Sequence, residues 1–224
     1  MKISVIGTGK TGSKVVELLG DKLLYAFDEN NPPTLEKLKE SDALIIFIPG
    51  DAVPKIFGLV LESGVPTAWG STGFNWPSDL NEQVKAYQTK WILATNFSLG
   101  MNIIRHTIKK ISEGSDLLKD PKFKIHEIHH IHKKDAPSGT ALSWKEWLGR
   151  EAEITSAREG DVNGIHELTL STAREEITLT HNALDRTIFA EGAIWTAEQL
   201  VNNLTLTNGV HTFGELFDQV IKEK

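Results

Sequence analysis

The feature that most constrains this chain is a glycine turn directly after a short apolar stretch. The chain begins MKISVI, which is typical of a strand, and Gly7, Gly9 and Gly12 follow in the spacing G-x-G-x-x-G. The apolar residues of KVVELL then recur at helical spacing. In such a strand-turn-helix unit the first glycine permits the tight turn, the second lets backbone approach a pyrophosphate, and the third allows close helix packing. The pattern therefore predicts a dinucleotide-binding unit.

An acidic residue follows the second predicted strand, residues 23–27. Asp28 lies roughly 20 residues beyond the glycine turn, where a carboxylate can accept hydrogen bonds from ribose hydroxyls. No arginine follows before Arg105, so this stretch offers no evident clamp for a 2′-phosphate. We therefore expect NADH to be the preferred cofactor, with NADPH as the second choice.

The first hundred residues alternate strand-like and helix-like patterns. Further apolar stretches lie at 43–48, 66–69 and 91–94, and such nearly continuous runs suit parallel strands covered on both faces. Each is followed by small or polar residues, which include GSTG at 70–73 and TNFS at 95–98. Since the carboxyl ends of parallel strands border the ligand crevice, these loops are expected to share one rim. The predicted fold class is α/β, a Rossmann-type doubly wound parallel sheet.

The pattern changes after residue 100. Helical stretches at 103–111 and 141–148 alternate with extended stretches at 123–131, 165–170 and 176–181. This mixture predicts a second, α+β domain that carries a mixed sheet. We place the dinucleotide-binding domain at residues 1–100 and the substrate-binding and oligomerisation domain at 101–195. The C-terminal helices, 196–224, are expected to return to the first domain.

Histidines and lysines crowd the stretch HHIHKKDAPSGT, residues 129–140. Histidine exchanges a proton near neutral pH, and lysine can hold an anion or donate a proton, so His129 and Lys133 are candidates for acid–base chemistry. Two alternatives stay open: a solvated surface strand, and a metal cluster. Adjacent histidines without a nearby cysteine match no strong zinc spacing, so we expect no metal. Lys134 is interpreted as incidental surface charge.

The residues that follow favour a bend and then a helix. Pro137 and Gly139 make one long helix through this stretch improbable, so a strand that bends near its end into a loop is expected. Ser138 or Thr140 is then the candidate cap of the next helix. Gly139 and Thr140 would lie at a helix N-terminus, where backbone N–H groups suit a carboxylate.

Composition excludes several classes of protein. The net charge of −6 argues against broad binding to nucleic acid or anionic membranes, and the chain has no cysteine for a disulfide or a thiolate nucleophile. No apolar run approaches the roughly 20 residues that span a bilayer, and the first residues lack the pattern of a signal peptide. We expect a cytoplasmic enzyme with no nucleic-acid or membrane partner.

The sequence resembles the 4-hydroxy-tetrahydrodipicolinate reductase family, formerly called dihydrodipicolinate reductase. The most specific part is HHIHKKDAPSGTA at 129–141, supported by the glycine turn, GSTG at 70–73, ATNFSLG at 94–100 and FAEGA at 189–193. The resemblance implies NADH- or NADPH-dependent reduction of a small cyclic dicarboxylate in the diaminopimelate route to lysine. It also implies a homotetramer.

The resemblance also implies roles for particular positions. His129 corresponds to the acid–base residue of the family and Lys133 to its proton donor, while His130, Gly139 and Thr140 correspond to substrate-binding positions. The positions that correspond to cofactor-binding segments are Gly7, Thr8, Gly9, Lys10, Thr11, Gly12, Asp28, Gly70, Ser71, Thr72, Ala94, Thr95, Asn96 and Phe97.

Departures from the family pattern keep alternatives open. Many members carry arginine where this chain has Ile131, and Lys10-Thr11 replaces a common Arg-Met pair. These changes bear on cofactor preference and assembly more than on reaction class. One alternative is a related NAD-dependent reductase of another imine or carbonyl acid. The other is a non-catalytic NAD-binding sensor, which would need neither His129 nor Lys133.

Overall fold

A computed structural model describes residues 1–202 and 205–223 of the chain. The chain forms two compact units: unit 1 comprises Met1–Ser98 and Thr187–Lys224, and unit 2 comprises Leu99–Arg186. Residues 203, 204 and 224, which belong to the predicted C-terminal helices, lie outside the described residues. Across the described ranges, no helix combines the length and the apolar character that a membrane crossing requires.

The strands and helices follow one another in a regular order. The strands are β1 (Ile3–Ile6), β2 (Leu23–Phe27), β3 (Ala43–Ile46), β4 (Thr67–Trp69), β5 (Lys90–Leu93), β6 (Lys122–His129), β7 (Glu153–Arg158), β8 (Ile165–Ser171), β9 (Glu176–Asn182) and β10 (Gly209–Thr212). The α-helices are α1 (Gly12–Leu19), α2 (Leu35–Lys39), α3 (Val53–Ser63), α4 (Leu80–Ala86), α5 (Leu99–Gly114), α6 (Gly139–Leu148), α7 (Thr187–Asn202) and α8 (Phe213–Lys222).

Unit 1 contains a six-stranded parallel sheet in the order β10-β5-β4-β3-β1-β2. Every residue of β1, β3 and β4 is buried, which explains why these strands are nearly continuous apolar runs. The strand order reverses between β1 and β3, and ligands of open α/β sheets bind at such a switch point. The predicted Rossmann-type fold is confirmed.

One strand of this sheet falls where the sequence predicts C-terminal helices with an interruption at 207–209. Residues 209–212 form β10, which pairs in parallel with β5 along its whole length, from Gly209 opposite Lys90 to Thr212 opposite Leu93. The strand has four residues, too few to show a period of two by itself. Its extended conformation depends on hydrogen bonds to a strand more than a hundred residues earlier, so local pattern could not reveal it.

Unit 2 contains a four-stranded mixed sheet in the order β7-β6-β8-β9. β6 and β7 are parallel, whereas β8 pairs antiparallel with both β6 and β9, which confirms the predicted strand pair at 165–170 and 176–181. Helices α5 and α6 contribute Ile104, Ile108 and Trp144 to a core shared with Ile125 and Leu168. The strand β7 was not predicted, because EITSAR has no strong apolar alternation.

Candidate functional site

The glycine turn of unit 1 has three glycines with three different surroundings. Gly7 has φ +94, and a Cβ there would lie 2.1 Å from the carbonyl oxygen of Phe47, just after β3. A Cβ on Gly12 would lie 1.7 Å from the carbonyl oxygen of Gly7. A Cβ on Gly9 would meet nothing within 4 Å. Gly7 and Gly12 are therefore required by packing, whereas Gly9 leaves an open backbone surface.

The loops after the parallel strands share one edge of the sheet. Each begins by extending the hydrogen-bond ladder of its neighbour: Gly70 N–H donates to the carbonyl of Ile46 (2.7 Å), and Ala94 N–H donates to that of Trp69 (3.0 Å). Gly7 N–H donates in the same way to Phe27, at 2.8 Å. The glycine turn, the loop at 70–73 and the loop at 94–98 consequently lie along the same edge of the sheet, as the sequence predicts.

The polar residues on these loops are placed differently. The Ser71 hydroxyl is buried and has no hydrogen-bond partner among the described residues, so it is available to a ligand. Asn96 Oδ1 accepts from the N–H of Ser98 at 2.8 Å, which holds the 94–98 loop in a turn. Thr72, Thr95 and Lys10 are exposed, whereas Thr8, Thr11 and Ala94 are half-buried.

Phe97 has a structural role at this edge of the sheet. Its ring is buried and meets that of Phe47 edge-on at 5.7 Å. Gly192 of α7 lies against its backbone, since a Cβ there would be 1.6 Å from the Phe97 carbonyl oxygen. Phe97 therefore anchors the loop between the sheet and α7.

Asp28 lies at the carboxyl end of β2 and is exposed. Its Oδ1 accepts the N–H groups of Asn30 (2.9 Å) and Asn31 (3.0 Å), and its Oδ2 is 3.4 Å from the Thr8 hydroxyl. One oxygen thus shapes the local turn while the other faces the glycine turn. The open Gly9 backbone, the unpartnered Ser71 hydroxyl and the Asp28 carboxylate together fit a dinucleotide cofactor.

Unit 2 carries a buried acid–base pair at the end of β6. Alternate residues of a strand point to the same face, so Glu127 and His129 lie side by side. Both are buried, with Glu127 fully excluded from solvent, and Glu127 Oε2 forms a short hydrogen bond with His129 Nδ1. Burial lowers the pKa of His129 below its ordinary value, although the Glu127 carboxylate acts in the opposite direction. His129 is therefore poised as a neutral imidazole oriented by a carboxylate.

Glu127 is held by two further elements. Arg158 Nη1, from β7, donates to both carboxylate oxygens at 3.1 and 3.2 Å, and the N–H of Ser138 donates to Oε1 at 3.3 Å. Burial raises the pKa of Glu127, but hydrogen bonds from Ser156, His129 and Arg158 outweigh it, so the net shift is downward. The carboxylate stays charged because its buried oxygens are fully hydrogen-bonded.

His166 of β8 joins the same network. Its ring lies 5.0 Å from that of His129 in an edge-on arrangement, and its Nε2 lies 3.1 Å from the Ser138 hydroxyl. Burial, followed by repulsion from His129, lowers the pKa of His166 to about 4. His166 is therefore a neutral buried histidine at physiological pH.

Lys133 lies in the loop that follows β6. Its Nζ is 2.8 Å from Asp135 Oδ1, and its backbone N–H donates to the carbonyl of His130 at 3.1 Å. The hydrogen bond from Lys133 lowers the pKa of Asp135 below its ordinary value, and the positive charge of Lys133 acts in the same direction. The predicted bend is present, because β6 ends at His129 and the chain turns at 131–132.

The other predicted substrate positions lie close along the chain to this loop. His130 is half-buried, and its N–H donates to the carbonyl of Val162 at 2.8 Å. Gly139 and Thr140 are the first two residues of α6, with Gly139 exposed. Ser138 is the N-cap, and its hydroxyl accepts from the N–H of Ala141 at 3.2 Å. Ile131, at the position where many family members carry arginine, is exposed.

A metal is one reading of the cluster, since Glu127, His129 and His166 offer ligand atoms within 4.8 Å of one another. However, Arg158 donates to both oxygens of the carboxylate, and a cation bound there would face the guanidinium. Glu127 Oε2 and His129 Nδ1 already bond each other, and His166 Nε2 bonds the Ser138 hydroxyl, so we interpret the cluster as a hydrogen-bond network.

Sequence reasoning missed Glu127, Arg158 and His166. Glu127 was detectable, because a carboxylate two residues before a candidate acid–base histidine shares its face in a strand. Arg158 and His166 come from β7 and β8, and only the pairing of these strands with β6 brings them to His129. No local signal marks them.

Comparisons with known proteins agree with this architecture. Residues 100–215 match the family model described as dihydrodipicolinate reductase, C-terminus. The 4-hydroxy-tetrahydrodipicolinate reductase of Bdellovibrio bacteriovorus is 32% identical over 213 residues, which cover 90% of this chain and 90% of that protein. That of Haloarcula marismortui is 30% identical over 254 residues, covering 97% of this chain and 99% of that protein.

Solved structures with the same fold include a dipicolinate-bound dihydrodipicolinate reductase from Paenisporosarcina sp. TG-14. The TM-score is 0.76 at 18% identity, with 95% of this chain and 97% of that chain covered. A probable dehydrogenase from Thermotoga maritima has a TM-score of 0.61 at 9% identity, with 99% and 93% covered.

The fold and the two groups of residues define the chain as a Rossmann-type α/β protein with a separate α+β unit. The family match and the identities to its relatives show that the chain belongs to the dihydrodipicolinate reductase family, now called 4-hydroxy-tetrahydrodipicolinate reductase. The resemblance seen in residues 129–141 is confirmed.

Proposed function

We propose that this protein uses NADH or NADPH to reduce 4-hydroxy-tetrahydrodipicolinate, via dihydrodipicolinate, to tetrahydrodipicolinate in the diaminopimelate route to lysine. The observation that carries the proposal is the buried Glu127–His129 pair at the start of the Lys133 loop, in a chain of this reductase family. A non-catalytic NAD sensor would have no use for a buried, oriented imidazole.

Unit 1 is the proposed cofactor domain. The open backbone at Gly9 and the start of α1 would hold the pyrophosphate, and Asp28 would accept from the ribose hydroxyls. The loops at 70–72 and 94–97, with the Ser71 hydroxyl, would position the nicotinamide. The cofactor supplies the hydride. We propose a preference for NADH, because the Asp28 carboxylate would repel a 2′-phosphate.

Unit 2 is the proposed substrate domain. The substrate carries two carboxylates, and the exposed start of α6 at Gly139 and Thr140 offers backbone N–H groups to one of them. Lys133 lies close to Gly139 in the sequence and supplies a cation, and His130 supplies an imidazole ring. These groups would orient the substrate and restrain its charge.

Hydride addition to the ring must be balanced by a proton. His129 and Lys133 are the two groups proposed to provide or relay it, since each carries a titratable nitrogen at the end of β6 or in the loop that follows it. Burial of His129 lowers its pKa, which keeps the resting ring neutral near neutral pH and favours release of any proton that it takes up. Placement in the cytoplasm and assembly as a homotetramer are further proposals, supported by the family resemblance.

Turnover of the true substrate tests the proposal. Purified protein is incubated with NADH, pyruvate, aspartate semialdehyde and the synthase that condenses them, and loss of nicotinamide absorbance is followed. We expect substrate-dependent oxidation, and a fall in kcat of roughly 10²- to 10⁴-fold in His129→Gln and Lys133→Ala. The control is His126→Gln, which alters a β6 histidine paired instead with Thr155.

Three results would contradict the proposal or a part of it. NADH binding with no turnover in this mixture would favour the sensor. Turnover of another imine or carbonyl acid, at much higher kcat/KM than this substrate, would favour the related reductase. Near-normal turnover in His129→Gln would remove His129 from the chemistry.

A further inference from the structure

We propose that Glu127 and Arg158 act together as positioning residues: Glu127 fixes the orientation of His129, and Arg158 ties that pair to the backbone of the Lys133 loop. This inference rests on the proposed function, because it assigns His129 and Lys133 to the same reaction. It adds two residues that the sequence motif at 129–141 does not contain.

The first step concerns the two nitrogens of the His129 ring. Glu127 is a charged acceptor, so the nitrogen that faces it, Nδ1, carries the hydrogen in the neutral ring. The other nitrogen, Nε2, is then free to exchange a proton with a substrate. Nε2 lies beside Gly164, where a Cβ would be only 3.0 Å away. A side chain at 164 would therefore crowd the reactive nitrogen, and glycine avoids that contact.

The second step concerns the reach of one guanidinium. β7 runs parallel to β6 with Arg158 opposite His129, so the arginine starts beside the pair. Its Nη1 donates to both Glu127 oxygens, its Nε donates to the carbonyl of Lys133 at 3.4 Å, and its Nη2 donates to that of Asp135. One side chain thus links the carboxylate behind His129 to the backbone on either side of Lys134.

The third step distinguishes this role from that of a simple ion pair. A buried ion pair alone gives little net stability, because desolvation offsets the attraction. Here the donors of Arg158 are shared between a carboxylate and two loop carbonyls, a use that needs the planar fork of arginine and not only its charge. Loop geometry, rather than stability, is what this arrangement controls.

The charged and titratable groups that face His129 come from four elements. Glu127 lies on β6, Arg158 on β7, Lys133 on the following loop and His166 on β8. Glu127 is the negative group in this set, so removing its charge leaves the imidazole among cations and an adjacent ring. The limb of the pH profile that reports His129 must then move to lower pH, whichever protonation state is active.

The test of Glu127 uses Glu127→Gln, which keeps the shape and removes the charge. We expect kcat to fall roughly 10²- to 10⁴-fold with little change in KM, and the His129 limb to move to lower pH. Long-range ¹H–¹⁵N spectra of ¹⁵N-histidine protein should show His129 changing from one tautomer to a mixture. The matched control is Glu167→Gln, at the β8 position opposite His126 in the register.

The test of Arg158 compares two substitutions. Arg158→Lys keeps the charge and Arg158→Met keeps only the stem, and we expect both to lower kcat by a similar factor because both lose the fork. Near-normal activity in Arg158→Lys, with loss in Arg158→Met, would reduce the arginine to a counter-charge and overturn its positioning role.

The two proposals fail in different ways. If the wild type has no reductase activity, the proposed function fails, but the tautomer of His129 in wild type and Glu127→Gln still decides the role of Glu127. If the wild type is active and Glu127→Gln retains the same tautomer, pH profile and kcat, Glu127 is not a positioning residue.

Discussion

The Ser138 hydroxyl lies 3.1 Å from Nε2 of His166 and also accepts the N–H of Ala141 at the start of α6. With that N–H as its donor, the hydroxyl can give its own hydrogen to the imidazole. The backbone N–H of Ser138 meanwhile donates to Glu127. One residue therefore connects the first turn of α6, the buried histidine and the carboxylate behind His129.

Replacing Ser138 should weaken this junction. Ser138→Ala removes the N-cap of α6 and the partner of His166, so we expect a loss of about 1 kcal/mol in the free energy of unfolding, measured in urea. Ser138→Thr keeps the hydroxyl and should recover much of the loss. Equal stability of the alanine and wild-type proteins would show that the cap does not contribute to the free energy of unfolding.

His166 should make stability depend on pH. Its pKa in the folded protein is about 4, below the ordinary 6.5, so its contribution is complete above pH 6.5 and is lost as pH falls towards 4. Between pH 7 and pH 5 His166 becomes protonated in the unfolded chain but stays neutral in the folded protein. The charged or titratable groups near it are His129, Glu127, His181 and Lys133.

The measurement is the urea midpoint at pH 7 and pH 5, together with an NMR titration of the His166 ring. His166→Gln should lose less stability over this interval than the wild type, while the control His126→Gln should behave like the wild type. Identical losses in wild type and His166→Gln, or a ring that titrates near its ordinary pKa, would contradict the prediction.

Substitutions at two glycines of the turn should distinguish an effect on folding from an effect on cofactor binding. Gly12→Ala places a Cβ against the Gly7 carbonyl, so it should lower both stability and NADH affinity. Gly9→Ala meets nothing in the protein, so we expect normal thermal stability and a loss of NADH affinity of roughly tenfold or more, by obstruction of the pyrophosphate. Calorimetric titration with NADH measures the affinity.

Gly58→Ala in α3 is the control, since a Cβ there also has open space and lies within a helix. It should keep NADH affinity and gain up to about 1 kcal/mol of stability. If Gly9→Ala binds NADH as tightly as Gly58→Ala, the open surface at Gly9 is not the pyrophosphate site.

Asp28 should determine which cofactor is preferred. Asp28→Asn keeps an oxygen for the N–H groups of Asn30 and Asn31 but removes the charge, so the turn is retained. We expect the ratio of kcat/KM for NADH over NADPH to fall by roughly tenfold, as hydrogen bonds to charged acceptors are worth more than neutral ones. Glu29→Gln, also exposed, is the control, and an unchanged ratio in Asp28→Asn would contradict the assignment.

Local pattern was informative wherever the physical requirement was itself local. The tight turn at Gly7, the fully buried runs of β1 and β3, and the N-cap at Ser138 each depend on residues that are neighbours in the sequence. The family motif at 129–141 is also a continuous segment, so it can be identified without knowledge of the fold.

The remaining features required distant segments to meet. β10 is a strand because it pairs with β5, and Arg158 and His166 surround His129 because β7 and β8 flank β6. The sequence by itself determined the glycine turn, the fold class and the segment that carries the histidines. Only the tertiary structure decided which charges surround His129, because electrostatic environment depends on distance in space and not on separation along the chain.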